Sequence, residues 1–189
     1  MNGQVYKEVF AGKEQKSLVS LSIHGDAVYS NAEAMKMRAM VEVMQLGLTE
    51  ALREELGAVY SPRVSGSLTR IPYTSFNVSM NLPCAPENVE KLRTRVFALM
   101  EKMKTQASSE SDLNKVKENW LKNHRERIKT NNFWLSYLNN SALEGDDATE
   151  IFNYENKVNA LTVKDIQDAA KKYLDTKNMI QVVLYPEKK

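Results

Sequence analysis

The stretch LTEALREELGAVYSPRVSGSLT, residues 48–69, sets a guanidinium and a phenol seven positions apart, at Arg53 and Tyr60, on either side of Gly57. Arginine is permanently charged and forked, so one side chain can hold two oxygens of a carboxylate or of a peptide backbone. A phenol is a neutral donor, suited to an oxygen on which negative charge builds inside a dry cleft. A plainer use exists for each residue. Arg53 in the last turn of a helix favours the helix dipole by about 0.3–1 kcal/mol, and Tyr60 can pack as an edge-strand aromatic on Pro62. The residue types alone leave both uses open.

The rest of the inventory argues against self-contained catalysis. The two histidines, His24 and His124, are a hundred positions apart, and neither belongs to an H-E-x-x-H or H-x-x-E-H pair. With a single cysteine beside them, the three or four ligands that zinc requires are not supplied, so no metal site is expected in this chain. His124 is expected to pack on a helix face beside Trp120. No G-x-S-x-G elbow is present, Ser65-Gly66-Ser67 has no adjacent base, and the seven glycines never cluster into a phosphate loop. Asp146 and Asp147, between Glu144 and Glu150, lack the order of a calcium loop and read as a polar connection before a helix. Lys115, Lys117, Lys122, Arg125, Arg127 and Lys129 are interleaved with Glu118 and Glu126, the pattern of a solvated, ion-paired helix.

The elements that must position these residues are legible from periodicity. Residues 17–24 alternate, with Val19, Leu21 and Ile23 on one face and Ser20, Ser22 and His24 on the other, which predicts a half-buried strand. Asn31 is expected to cap a long helix whose stripe is Met37, Val41, Met44, Leu48, Leu52 and Leu56, with Gly57 as its stop. Residues 58–69 read as a strand rich in small residues, and Pro62 within it argues for an edge position or a bulge. Residues 73–82 alternate again, with Phe76, Val78, Met80 and Leu82 against Ser75, Asn77, Ser79 and Asn81. Ile71-Pro72 is the expected turn between these two strands. A helix follows on Val89, Leu92, Val96, Met100 and Met103, then others on Leu113, Val116, Trp120, His124 and Ile128, at 133–143 and at 149–161. Thr162 and Asp165 form a capping-box pattern that opens a last helix. Residues 179–185 are apolar on both faces, as a central strand would be. The order β-α-β-β-α-α-α-α-α-β predicts an α+β fold, with helices packed on one face of a mostly antiparallel sheet. Residues 1–16 read as a linker leading into a single domain at 17–189.

Composition bounds the partners. The 189 residues are 42% hydrophobic and 26% charged, with a formal net charge of +2. That balance gives no electrostatic case for a nucleic-acid or membrane partner, and no run approaches the roughly 18 apolar residues of a membrane span. Cys84, alone, excludes an internal disulfide. The opening residues read as a linker, so the chain is expected to be a fragment of a larger protein. Its compartment, periplasm or cytoplasm, is then not readable, and a dimer formed through an exposed domain interface is an open option.

The order long helix, Leu52-Arg53-Glu54-Glu55-Leu56-Gly57-Ala58-Val59-Tyr60, then a small-residue strand through Ser65-Gly66, resembles the pitrilysin/insulinase family of zinc metallopeptidases, and within it the carboxy-terminal, non-catalytic repeat. The opening Gly12-Lys13-Glu14-Gln15-Lys16-Ser17, the segment SSESDLNKVKENWLKNH and the closing Leu161-Thr162-Val163-Lys164-Asp165-Ile166 fit the same family. The resemblance implies a chamber-forming domain that helps bind peptide substrate through Arg53 and Tyr60, at a zinc site carried by another domain or subunit. H-x-x-E-H is absent here, so the resemblance also implies that this chain alone is inactive. A structural or assembly subunit related to the family is the alternative.

Overall fold

The computed structural model describes residues 3–56 and 61–187. In chain order the elements are β1 (Gln4–Phe10), β2 (Ser17–Asp26), α1 (Asn31–Leu56), β3 (Arg63–Thr69), β4 (Ser75–Cys84), α2 (Val89–Thr105), α3 (Glu110–Arg127), α4 (Asn131–Glu144), α5 (Tyr154–Ala160), α6 (Val163–Tyr173) and β5 (Met179–Tyr185). Short 3-10 turns at Pro86–Asn88 and Ala148–Asn153 lead into α2 and α5. None of the described helices is long and apolar enough to cross a membrane.

The strands form one mixed sheet in the order β1-β5-β2-β4-β3. Among the described residues only the β1–β5 pair is parallel; β5–β2, β2–β4 and β4–β3 are antiparallel. This is the α+β, mostly antiparallel architecture that the alternation predicts. β5 lies inside the sheet, in keeping with its two apolar faces, and β3 lies at an edge, with Pro62 just before its first residue.

The chain divides into two compact units, one made of residues 1–108 and 163–189, the other of Ser109–Thr162. In the first unit Val19, Leu21, Ile23, Val78, Met80, Leu82, Met179 and Val183 are buried on one face of the sheet. The α1 stripe of Met37, Val41, Met44, Leu48 and Leu52, the α2 stripe and Ile166, Ala170 and Tyr173 of α6 are buried with them. Tyr173 meets Phe76 edge-on at 5.1 Å, which ties α6 to β4. In the second unit Leu113, Val116 and Trp120 of α3 and Val158 of α5 are buried. Arg125 makes a two-point bond to Glu155, at 2.8 and 2.7 Å, that links α3 to α5.

Two local expectations are corrected. Residues 4–10, placed in a linker by sequence, form edge strand β1. The strand is almost wholly exposed and pairs with β5 at the far end of the chain, so no local alternation marks it. The cap of α1 is Ser30, not Asn31: Ser30 Oγ accepts from the Glu33 N–H at 3.1 Å. Asn31 is already inside the helix, where a side chain has left the capping position.

Candidate functional site

The region around Arg53 is assembled by α1 and β3. Leu48 and Leu52 anchor the end of α1 in the core, at 0% and 2% exposure. Arg53, the next residue, lies in the last turn and is exposed to solvent. A helix end fixed from beneath by two leucines therefore presents a fixed positive charge outward, where it also favours the dipole. Gly57 and Tyr60, the other two members of the motif, lie outside the described residues.

The return of the chain is fixed by one amide. Gln45 Nε2 donates to the Pro62 carbonyl at 2.8 Å, and Gln45 Oε1 accepts from the Val64 N–H at 2.8 Å. Thr49, one turn on, accepts from Gln45 Nε2 at 3.0 Å and donates to the Gln45 carbonyl at 2.7 Å. The side chain thus satisfies two backbone groups at the start of edge strand β3, as a neighbouring strand would. Further along, Gly66 lets β3 lie against α1: a Cβ there would sit 2.6 Å from Val41 Cγ2. Gln45 was not singled out from sequence. Its partners are 17 and 19 positions away, and no local pattern encodes them.

The other residues considered for chemistry are accounted for separately. Among the described residues no group of three or more His, Cys, Asp or Glu side chains could hold a metal ion. His24 sits in β2. His124 sits in α3 with its ring 4.4 Å from that of Tyr154 and 6.1 Å from Phe133, and burial lowers its pKa. Cys84, buried at the end of β4, has its thiol pushed up to about 11 by burial, which keeps it protonated and inert. Asp147 caps a 3-10 turn by accepting from the Thr149 N–H and hydroxyl, both at 2.8 Å. In the basic helix, Lys115 pairs with Asp112, Arg125 with Glu155 and Lys129 with Glu126.

Comparison with known proteins follows from this geometry. The family profile described as the peptidase M16 inactive domain matches residues 3–119. A comparison with curated protein sequences returns no match. Among solved structures, a mutant of the ferredoxin protease FusC in complex with Arabidopsis ferredoxin superposes with a TM-score of 0.83 at 14% identity, covering 100% of this chain and 21% of that one. The periplasmic protease PqqL from Escherichia coli gives 0.80 at 21% identity, covering 99% and 21%. A candidate zinc protease from Bordetella pertussis Tohama I gives 0.67 at 17% identity, covering 89% and 92%. At these identities the likeness is one of fold. The chain spans about a fifth of the length of the first two proteins.

Proposed function

The chain belongs to the peptidase M16 family as its inactive domain, and from that premise we propose that it is a substrate-binding, chamber-forming part of a zinc-dependent endopeptidase. The metal and the general base belong to another domain or subunit, since the sequence of this chain holds no H-x-x-E-H pair. Arg53 grips oxygens of the peptide near the scissile bond, by two-point hydrogen bonding. Tyr60 donates to the scissile carbonyl oxygen as charge builds on it. Neither group moves a proton in this role; both orient and stabilise, which is the contribution a domain without a metal can make.

The observation that carries the reading is the placement of Arg53: an exposed guanidinium at the end of a helix whose last turns are locked into the core. Side chains on rigid elements hold a substrate more tightly to one geometry than side chains on loops do. Two of the fold relatives are described as proteases, and one of them was crystallised in complex with Arabidopsis ferredoxin; the partner proposed here is likewise a polypeptide.

The test is complementation. A zinc-bearing half of the family is assayed on a fluorogenic peptide with and without this chain. The chain alone is expected to show no cleavage, and its addition to raise the cleavage rate of the zinc-bearing half. A rate unchanged by saturating amounts of the chain would end the proposal.

A further inference from the structure

Met37, Val41, Gln45, Thr49 and Arg53 stand four residues apart on α1, so they follow one ridge of the helix. β3 runs along this ridge. Gly66 lies beside Val41 and Met37, and Pro62 and Val64 lie beside Gln45. The strand therefore begins at the end of the ridge that leads to Arg53. By helix rise Arg53 is two turns, about 12 Å, beyond Gln45.

The Gln45 amide has one orientation available. The Thr49 hydroxyl gives its hydrogen to the Gln45 carbonyl at 2.7 Å, which leaves its oxygen to accept from Gln45 Nε2 at 3.0 Å. A flipped amide would set Oε1 against that oxygen and Nε2 against the Val64 N–H. Nε2 is thus held toward the Pro62 carbonyl and Oε1 toward the Val64 N–H, both at 2.8 Å. Guarding a sheet edge does not call for this. A charge or a proline blunts an edge, and Pro62 and Arg63 already stand at this one. A locked amide with two bonds does more, because it fixes the start of the strand in both distance and register.

We propose that Gln45 is a positioning residue: its locked amide holds the start of β3 at a set place beside the α1 ridge that carries Arg53. The role rests on the function proposed above for Arg53 and Tyr60, of which Tyr60 lies outside the described residues, two positions before Pro62 in sequence. Gln45 touches neither substrate nor metal in this role. It acts through the chain that enters β3. Without its two bonds the start of β3 is free to shift, and a displacement of about 1 Å at a working group costs up to roughly 10²-fold in rate.

The test is a mutant cycle on peptide cleavage by the reconstituted enzyme, with folding and complex formation checked for each variant. Gln45→Met keeps the length of the side chain and loses both bonds to β3. It is expected to lower kcat about tenfold or more. In a Tyr60→Phe background the same change is expected to add little, because the hydroxyl whose placement depends on it is already gone. A residue that only stabilises the fold would lower kcat by the same factor in both backgrounds, and that result would overturn the proposal. So would a parent-like kcat for Gln45→Met where Tyr60→Phe lowers it. A second pair of variants serves if Gln45→Met misfolds. Thr49→Val unlocks the amide without removing either bond to β3 and is expected to lower kcat, whereas Thr49→Ser keeps the hydroxyl and is expected to match the parent; equal rates for the two would also overturn the proposal. Failure of the function reads differently: Arg53→Ala and Tyr60→Phe would then both match the parent, and the positioning role would fall with it.

Discussion

At the scale of single residues, the decisive contacts are those that set β3 against α1. Gly66 is required by space, since its backbone lies where a Cβ would meet Val41 Cγ2. A β-branched side chain on a helix has one preferred rotamer and cannot swing aside. Gly66→Ala is therefore expected to destabilise the fold by about 1–3 kcal/mol, read from urea denaturation. Adding Val41→Ala should return part of that loss, a coupling that a purely backbone effect would not show. Gln45 is required by hydrogen bonding. Gln45→Glu keeps an acceptor for the Val64 N–H but sets a carboxylate against the Pro62 carbonyl, and the expected cost is about 1–3 kcal/mol. If Gln45→Glu unfolds at the same urea concentration as the parent, the amide is not what holds the start of β3. These two residues also mark the limit of what the sequence reveals. Arg53 and Tyr60 are visible by type and spacing, whereas Gln45 becomes meaningful only once the fold carries residues 62–64 back beside it.

At the scale of elements, α1 and α6 are joined at the start of α1 by a polar network. Lys172 donates to Glu33 Oε2 at 2.6 Å and the Tyr173 hydroxyl donates to the same oxygen at 3.1 Å. Lys36 bridges to Asp165 at 2.9 Å. The hydrogen bond from Lys172 holds the Glu33 carboxyl below its ordinary value of 4.5, and the same bond raises the Lys172 ammonium. A carboxyl lowered on folding stabilises the fold above its ordinary pKa and loses that contribution as pH falls through the lowered value. The raised lysine behaves oppositely, losing its contribution as pH climbs through its folded value. Glu33→Gln should therefore flatten the acid side of the stability–pH curve below about pH 5, as measured by urea midpoints. An unchanged acid slope would mean that the network carries no linked protons. Legibility at this scale depends on whether an element's burial is local. Val19, Leu21 and Ile23 announce β2, and the four-and-three spacing from Met37 to Leu52 announces α1. β1 has Tyr6, Val9 and Phe10 exposed and pairs in parallel with a strand at the other end of the chain, so neither its faces nor its partner show in its own residues.

At the scale of the molecule, an α+β core with one covered face is joined to the absence of any metal cluster among the described residues. The β-α-β-β order and the central final strand were readable because alternation and helical stripes are strong here. The helical unit at Ser109–Thr162 was readable as helices but not as a unit, since its separation is a matter of contact density rather than of pattern. The central claim is that this domain lends a cation and a phenol to a hydrolytic site whose metal lies elsewhere. The most direct measurement is steady-state peptide cleavage by the reconstituted enzyme with Tyr60→Phe in this chain, with zinc content and complex formation checked in parallel. The account predicts a kcat lower by roughly 10²–10³ in a complex that still forms and still holds its metal. A kcat equal to that of the parent in an intact complex would contradict it.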